Sequence, residues 1–263
     1  MKTDAVTILH VGPIDPPIPR PSNRLRDALD AGEVATLLAS HAMSSDMVDL
    51  LGPTPAAGVW LEAESGPLTW DRIGDLSRAA ELWGLAAVVR IPAFAPWRVG
   101  RALALGAHGV VLPQVAGAEE AAELVAAARF SPLGTRGVTR GRRAYGRDDY
   151  FEAEARSPVT IVQVESAGVL EHLDELCAVD GLDVVFIAPN DLADSMGLIG
   201  RPTHPDVVAA IDDGIARISA TGTAAGTLAT PERVDRLLEL GATVLYMSID
   251  PWIHEAADRL VPR

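Results

Sequence analysis

The chain has 263 residues, 48% of them hydrophobic, enough to bury one large core. Acidic residues outnumber basic ones 36 to 22, and a formal net charge of −14 would repel nucleic acid and anionic membrane, so neither is expected as a partner. A single cysteine, Cys177, leaves no intramolecular disulfide and no cysteine-rich metal site. With no basic-then-apolar leader and no apolar run of spanning length, the cytoplasm is the expected compartment.

Residues 1–22, ending "HVGPIDPPIPRPS", are crowded with prolines that cannot donate backbone hydrogen bonds, which predicts an extended N-terminal arm. From Asn23 to the C-terminus, residues 23–263, short Val/Ile/Leu/Ala runs alternate with amphipathic stretches of helical period, the pattern of a single α/β domain. Strands are predicted at 34–40, 58–64, 86–91, 109–114, 160–165, 183–188, 223–228 and 243–248. Their uninterrupted apolar character fits parallel strands covered on both faces. Helices fit between nearly all of them, for example 118–130, 204–222 and 230–241, the last with Thr230 as cap, Pro231 in the first turn and Gly241 at the exit. Eight such units predict a (β/α)8 TIM barrel, whose usual size is ~250 residues. An open doubly wound sheet is the runner-up, and no G-x-G-x-x-G follows the first strand to favour a dinucleotide site.

Two of these runs end on acids. "TIVQVE" closes on Glu165, and "DVVFIAPNDL" places Asp191 just past the next strand. Adjacent strands lie ~4.8 Å apart, so both carboxylates can converge at the mouth of a barrel, where like charges repel unless a cation or a shared proton lies between them, a cation being the simpler solution. Oxygen ligands without nearby His or Cys suit a hard ion, Mg²⁺ or Mn²⁺. Alternatively, Asp191 caps a turn and Glu165 pairs with an arginine. Arg90, ending "AAVVR", is either a fork for a substrate carboxylate or the partner of Glu62 or Glu64. The interruption at 131–157 holds Arg136, Arg140, Arg142, Arg143 and Arg147. It is read either as a basic loop on the catalytic face that receives an acidic small molecule, with Arg136 in contact, or as a subunit contact or solvated cluster.

The stretch "VQVESAGVLEHLDELCAVDGLDVVFIAPNDLADSMGLIGRPTHPDVVAAI" resembles the metal-binding half of the HpcH/HpaI family of class II pyruvate aldolases. A weaker resemblance runs from "NRLRDALDAGE" through "VVRIPAF", "LGAHGVVLPQV" and "GTRGV" to the C-terminus. It implies a barrel enzyme holding a divalent metal, Mg²⁺ or Mn²⁺ with Co²⁺ also admissible, through Glu165 and Asp191. It further implies that the metal chelates pyruvate or oxaloacetate, with Arg90 against the enolate oxygen, Gln163 in the same pocket, and the backbone amides of the 188–191 loop, which begins Ala188, Pro189, Asn190, on the carboxylate. Homo-oligomers, hexamers or trimers of dimers, with "DPWIHEAADRLVP" as an exchanged C-terminal helix, are implied as well.

The chain departs from the family where members carry D-G-E-H-A-P after the second strand. Here "EAESGP" puts Ser65 in the histidine's place, and Ala104 stands where its partner aspartate is expected. A neutral serine is no general base at neutral pH, and a positioned base is worth ~10²–10⁴ in rate. His41, or Glu62 or Glu64, could substitute. The resulting expectations are a C–C lyase or synthase working through a metal-bound pyruvate enolate with an unknown electrophile, an oxaloacetate decarboxylase or decarboxylative condensing enzyme, or a silent keto-acid-binding barrel.

Overall fold

The structure, a computed structural model, describes residues 22–261, so the proline-rich arm lies outside the described residues except for its last position. Strands β1 (Ala35–Ala39), β2 (Gly58–Glu62), β3 (Ala86–Arg90), β4 (Gly109–Leu112), β5 (Val159–Val164), β6 (Val184–Ile187), β7 (Ala224–Leu228) and β8 (Ala242–Ser248) close in that order into one barrel. Every neighbouring pair is parallel, β8 on β1 included. The fold is a (β/α)8 barrel, and each predicted strand is present.

Helices α1 (Arg24–Ala31), α2 (Ser45–Leu51), α3 (Trp70–Leu82), α4 (Pro96–Ala104), α5 (Ala118–Ala128) and α6 (Tyr150–Glu154) belong to the first half. The second half has α7 (Ala167–Glu171), α8 (Leu173–Cys177), α9 (Pro189–Ser195), α10 (Pro205–Thr221), α11 (Val234–Glu239) and α12 (Asp250–Leu260). The expectation for 230–241 needs correction at its start. Thr230 and Pro231 form a turn, and α11 begins at Val234 with no side-chain cap, although Gly241 does leave it with a φ of 93°.

Side chains alternate across each strand, so one parity fills the barrel and the other meets the helices. Leu37, Ala39, Trp60, Val88, Val111, Ile161, Phe186 and Val244 form the inner cluster. Carrying that parity to the strand ends brings Glu62, Arg90 and Gln163 onto the inner wall at the C-terminal mouth, with Glu165 next in line. At the opposite end Asn23 caps α1 and its amide donates to the carbonyls of His108 (3.1 Å) and Ser157 (2.8 Å), pinning that helix across the strand starts.

The basic segment 131–157 follows a helix rather than a strand, so it lies at the N-terminal end of the barrel. The reading that set it on the catalytic face is therefore corrected. Glu81 of α3 accepts from Arg142 (2.6 Å) and Arg143 (2.7 Å), and Arg143 also donates to the Gly106 carbonyl (2.6 Å) beneath β4. Buried His108 packs against Arg143, and burial together with that positive charge keeps its imidazole neutral. Arg136 is buried too, 3.3 Å from Glu154 and with its guanidinium 4.5 Å from the Phe130 ring centre. Arg140 faces the Phe151 ring and Arg147 pairs with Asp149. The cations are absorbed by local acids, rings and carbonyls, and Arg136 has no place in the mouth.

Candidate active site

A cavity of about 350 Å³ opens at the C-terminal mouth of the barrel. Its floor is apolar: Trp60 meets Tyr246 edge-on at 5.1 Å and Phe186 at 5.5 Å, ring centre to ring centre. Above them the wall turns polar. Glu62 on β2 lies opposite Arg90 on β3 in register, and the guanidinium bonds the Glu62 carboxylate at 2.6 Å. Its other nitrogens reach Glu64 (3.0 Å), the Gln163 side-chain oxygen (3.3 Å) and the Ser65 hydroxyl (3.3 Å). The Glu62 carboxylate also accepts the amides of Glu64 (2.8 Å) and Ser65 (3.1 Å), tying the turn after β2 to the end of β3. Both proposed partners of Arg90 are thus real, and they fix its fork toward the cavity.

Glu165 follows β5 and is nearly buried, while Asp191 sits in the first turn of α9 on the cavity wall. Burial, then the charges of Asp191 and Glu64, push the Glu165 carboxyl up to about 7, against the opposing pull of Arg90 and the Gln114 amide. One of its oxygens, Oε1, is buried without any hydrogen-bond partner. Glu64 is raised as well, chiefly by burial. An uncompensated carboxylate oxygen beside further acids is neutralised either by a proton or by a cation. Among the described residues no group of three or more His, Cys, Asp and Glu side chains is placed to hold a metal. A two-carboxylate site with water and substrate completing the octahedron is how Mg²⁺ is commonly held.

Gln114, whose amide serves Glu165, has a φ of 51° and is the only non-glycine residue with positive φ among those described. The sequence reading ended the fourth strand there and assigned it no role; nothing in local composition marks a left-handed glutamine. Trp60, Phe186 and Tyr246 were missed for another reason, since aromatic residues in strands usually signal core. His41 lines the cavity, as do Ser65, Gln163, Ala188, Pro189 and Asn190. Ala104 does not. It ends α4 at the N-terminal side of the barrel, where its carbonyl would lie 2.4 Å from a Cβ on Gly141. An acid at that position could not meet residue 65 within one chain.

The sequence matches the HpcH/HpaI aldolase/citrate lyase family model over residues 68–251. The chain belongs to this family. It is 34% identical over 238 residues to a hydroxypyruvate/pyruvate aldolase of Agrobacterium fabrum, covering 89% of this chain and 90% of that one. A 2-keto-3-deoxy-L-rhamnonate aldolase of Klebsiella pneumoniae is 35% identical, with 90% and 91% covered. In three dimensions it is similar to a crystal structure of an HpcH/HpaI family protein from Burkholderia cenocepacia, with a TM-score of 0.83, 31% identity, and 90% and 97% of the two chains covered. This HpcH/HpaI protein is accordingly a carbon–carbon lyase of the aldolase type.

The raised Glu165 makes the stability of the metal-free lyase depend on pH with a definite sign. Its folded value, about 7, exceeds the ordinary 4.5, so between those values the native state holds more protons than the unfolded chain. Stability therefore falls as pH rises through that window. In chelator, the melting temperature is expected to drop as the pH rises from 4.5 to about 7, and Glu165→Gln should flatten the slope. An unchanged slope in the variant would show that another group titrates.

Proposed function

We propose that this lyase binds a small 2-keto acid, pyruvate or oxaloacetate, on a divalent cation held by Glu165 and Asp191, and forms or breaks a C–C bond through the pyruvate enolate. The observation that carries the reading is the buried, unpartnered Glu165 Oε1 beside Asp191. Mg²⁺ or Mn²⁺ suits such oxygen donors, and Co²⁺ is admissible. When bound, the ion would supply Lewis-acid charge to the substrate's keto oxygen. Arg90 would place its guanidinium against the same oxygen, where negative charge is larger in the enolate than in the ketone, so its hydrogen bonds strengthen as the reaction proceeds. Gln163 would help orient that fork. The turn that starts at Ala188 and Pro189 would hold the substrate carboxylate with the backbone amides of Asn190 and Asp191, since proline has no N–H and the Ala188 amide is bonded to the Val164 carbonyl. The aromatic floor would exclude water beneath C3. Glu64 and Ser65 would act by fixing Arg90 rather than by touching the reacting atoms.

A decarboxylative reaction is the second reading. It is favoured by Ser65, whose hydroxyl is engaged with Arg90 and provides no base at the end of β2. Losing CO₂ from oxaloacetate generates the enolate without removing a proton. We further infer a homo-oligomer, a hexamer or trimer of dimers, because α12 buries none of its residues and leaves Trp252 and Ile253 exposed. Among the described residues no helix is long and apolar enough to cross a membrane, and the free Cys177 fits a cytoplasmic setting.

With Mg²⁺ or Mn²⁺ in D₂O, the pyruvate methyl signal is expected to exchange and oxaloacetate to be consumed. Consumption without exchange would favour the decarboxylative reading. Binding of the keto acid with neither reaction would leave a silent barrel.

A further inference from the structure

A second polar group of the mouth lies at the β8–β1 seam. Ala39 pairs with Ser248, and the Ile249 amide bonds the Ala39 carbonyl (2.9 Å), so the chain leaving β1 runs beside the first turn of α12. There the Asp250 carboxylate is gripped from three directions. The Ser40 hydroxyl donates to Oδ1 (2.5 Å), while the His41 amide (3.0 Å) and His41 Nδ1 (3.1 Å) both meet Oδ2. Burial opposes the charge on Asp250, but these donors outweigh it and hold its carboxyl below the usual range. An ionised carboxylate only accepts hydrogen bonds, so Nδ1 of His41 carries the proton. In the neutral ring Nε2 is then a free lone pair, and among the described residues no protein group bonds it.

His41 is the histidine that lines the cavity, together with Arg90, Ser65 and Asp191. Of the other described histidines, His108 is buried beneath the barrel, His172 pairs with Glu175, His204 caps α10, and His254 lies exposed on α12 outside the cavity lining. The acids at the end of β2 are held by Arg90, which opposes their use as bases. A ring whose tautomer and orientation are set by a carboxylate, with its second nitrogen free at a substrate cavity, is the arrangement of a general acid–base.

We propose that His41 is the proton-transfer residue of this site and Asp250 the residue that positions it, the pair replacing the function that Ser65 cannot perform. This rests on the enolate reading above. In pyruvate, a C3 proton passes to Nε2 and the C–H electron pair moves onto the keto group, giving the enolate and an imidazolium; return of the proton to C3 reverses the step. In aldol cleavage the C4 hydroxyl proton passes to Nε2 while the C3–C4 electron pair moves onto the keto-acid portion and C4 becomes a carbonyl. In oxaloacetate decarboxylation the C3–C4 bond breaks, its electron pair moves onto the keto group as CO₂ leaves, and no base is required; the enolate then takes its C3 proton from water.

That contrast is the test. In His41→Gln, an exposed position that should fold, pyruvate methyl exchange in D₂O is expected to fall ~10²–10³-fold while oxaloacetate decarboxylation is retained. Added imidazole should restore exchange to His41→Ala. Nitrogen-resolved NMR of the metal-free protein should show the His41 proton on Nδ1, moving to Nε2 in Asp250→Asn. Exchange at the wild-type rate in His41→Gln, or a wild-type proton on Nε2, overturns the dyad. Wild-type protein that decarboxylates oxaloacetate but exchanges no pyruvate protons also overturns the dyad and leaves the enolate reading standing. Inertness toward both acids overturns that reading and the dyad's role with it.

Discussion

Glu165→Gln is expected to weaken Mn²⁺ binding by more than the ~10–100-fold typical of losing an outer partner of a metal ligand, while raising the melting temperature of the metal-free protein at pH 8. The two effects share one cause. In wild type the carboxylate is buried, lacks a partner for Oε1 and faces Asp191 and Glu64. Glutamine removes the charge the cation would neutralise and keeps a carbonyl for the Gln114 amide. Asp191→Asn should match the loss of affinity, and by removing a like charge it should let the Glu165 carboxyl fall toward its ordinary value. Titration of the Mn²⁺ electron paramagnetic resonance signal and scanning calorimetry in chelator would measure both effects. Retained affinity in Glu165→Gln would remove that residue from the site.

The second large effect is expected at Arg90. Arg90→Lys should lower kcat ~10²–10³-fold with a small change in KM, because the lost fork matters more to the enolate than to the ketone. Lysine presents a point charge and cannot hold Glu62, Glu64, Gln163 and Ser65 in one plane. Arg90→Ala adds a structural penalty, since the Glu62 and Glu64 side chains, only 12% and 17% exposed, lose their cation. The cost should lie toward the lower end of the ~3–5 kcal/mol found when a buried ion pair is broken from one side. Steady-state kinetics with oxaloacetate and a denaturant titration separate the two. Near-wild-type kcat in Arg90→Lys with loss confined to Arg90→Ala would argue that Arg90 acts as a charge alone.

The barrel was legible because its signals are local. A strand buried on both faces reads as an unbroken apolar run, and parity along it carries Arg90 and Gln163 to the same wall as Glu62. Glu165 and Asp191 were legible as acids ending such runs. The basic loop was misplaced for want of one topological step: 131–157 comes after a helix, so its arginines serve the opposite end of the barrel. Thr230 and Pro231 carried a capping signature that the chain uses for a turn instead. Asp250 gave no signal, because its partnership with His41 depends on β8 closing on β1, a contact between residues at opposite ends of the sequence. Gln114 was invisible because no local residue pattern marks a glutamine with a φ of 51°.

If Glu165 and Asp191 hold one divalent ion between them, anomalous diffraction at the manganese edge from crystals soaked in Mn²⁺ and pyruvate will show a single peak against both carboxylates, with keto-acid density between it and Arg90. A peak bound elsewhere, or two acids turned away from a common ion, would contradict that shared site.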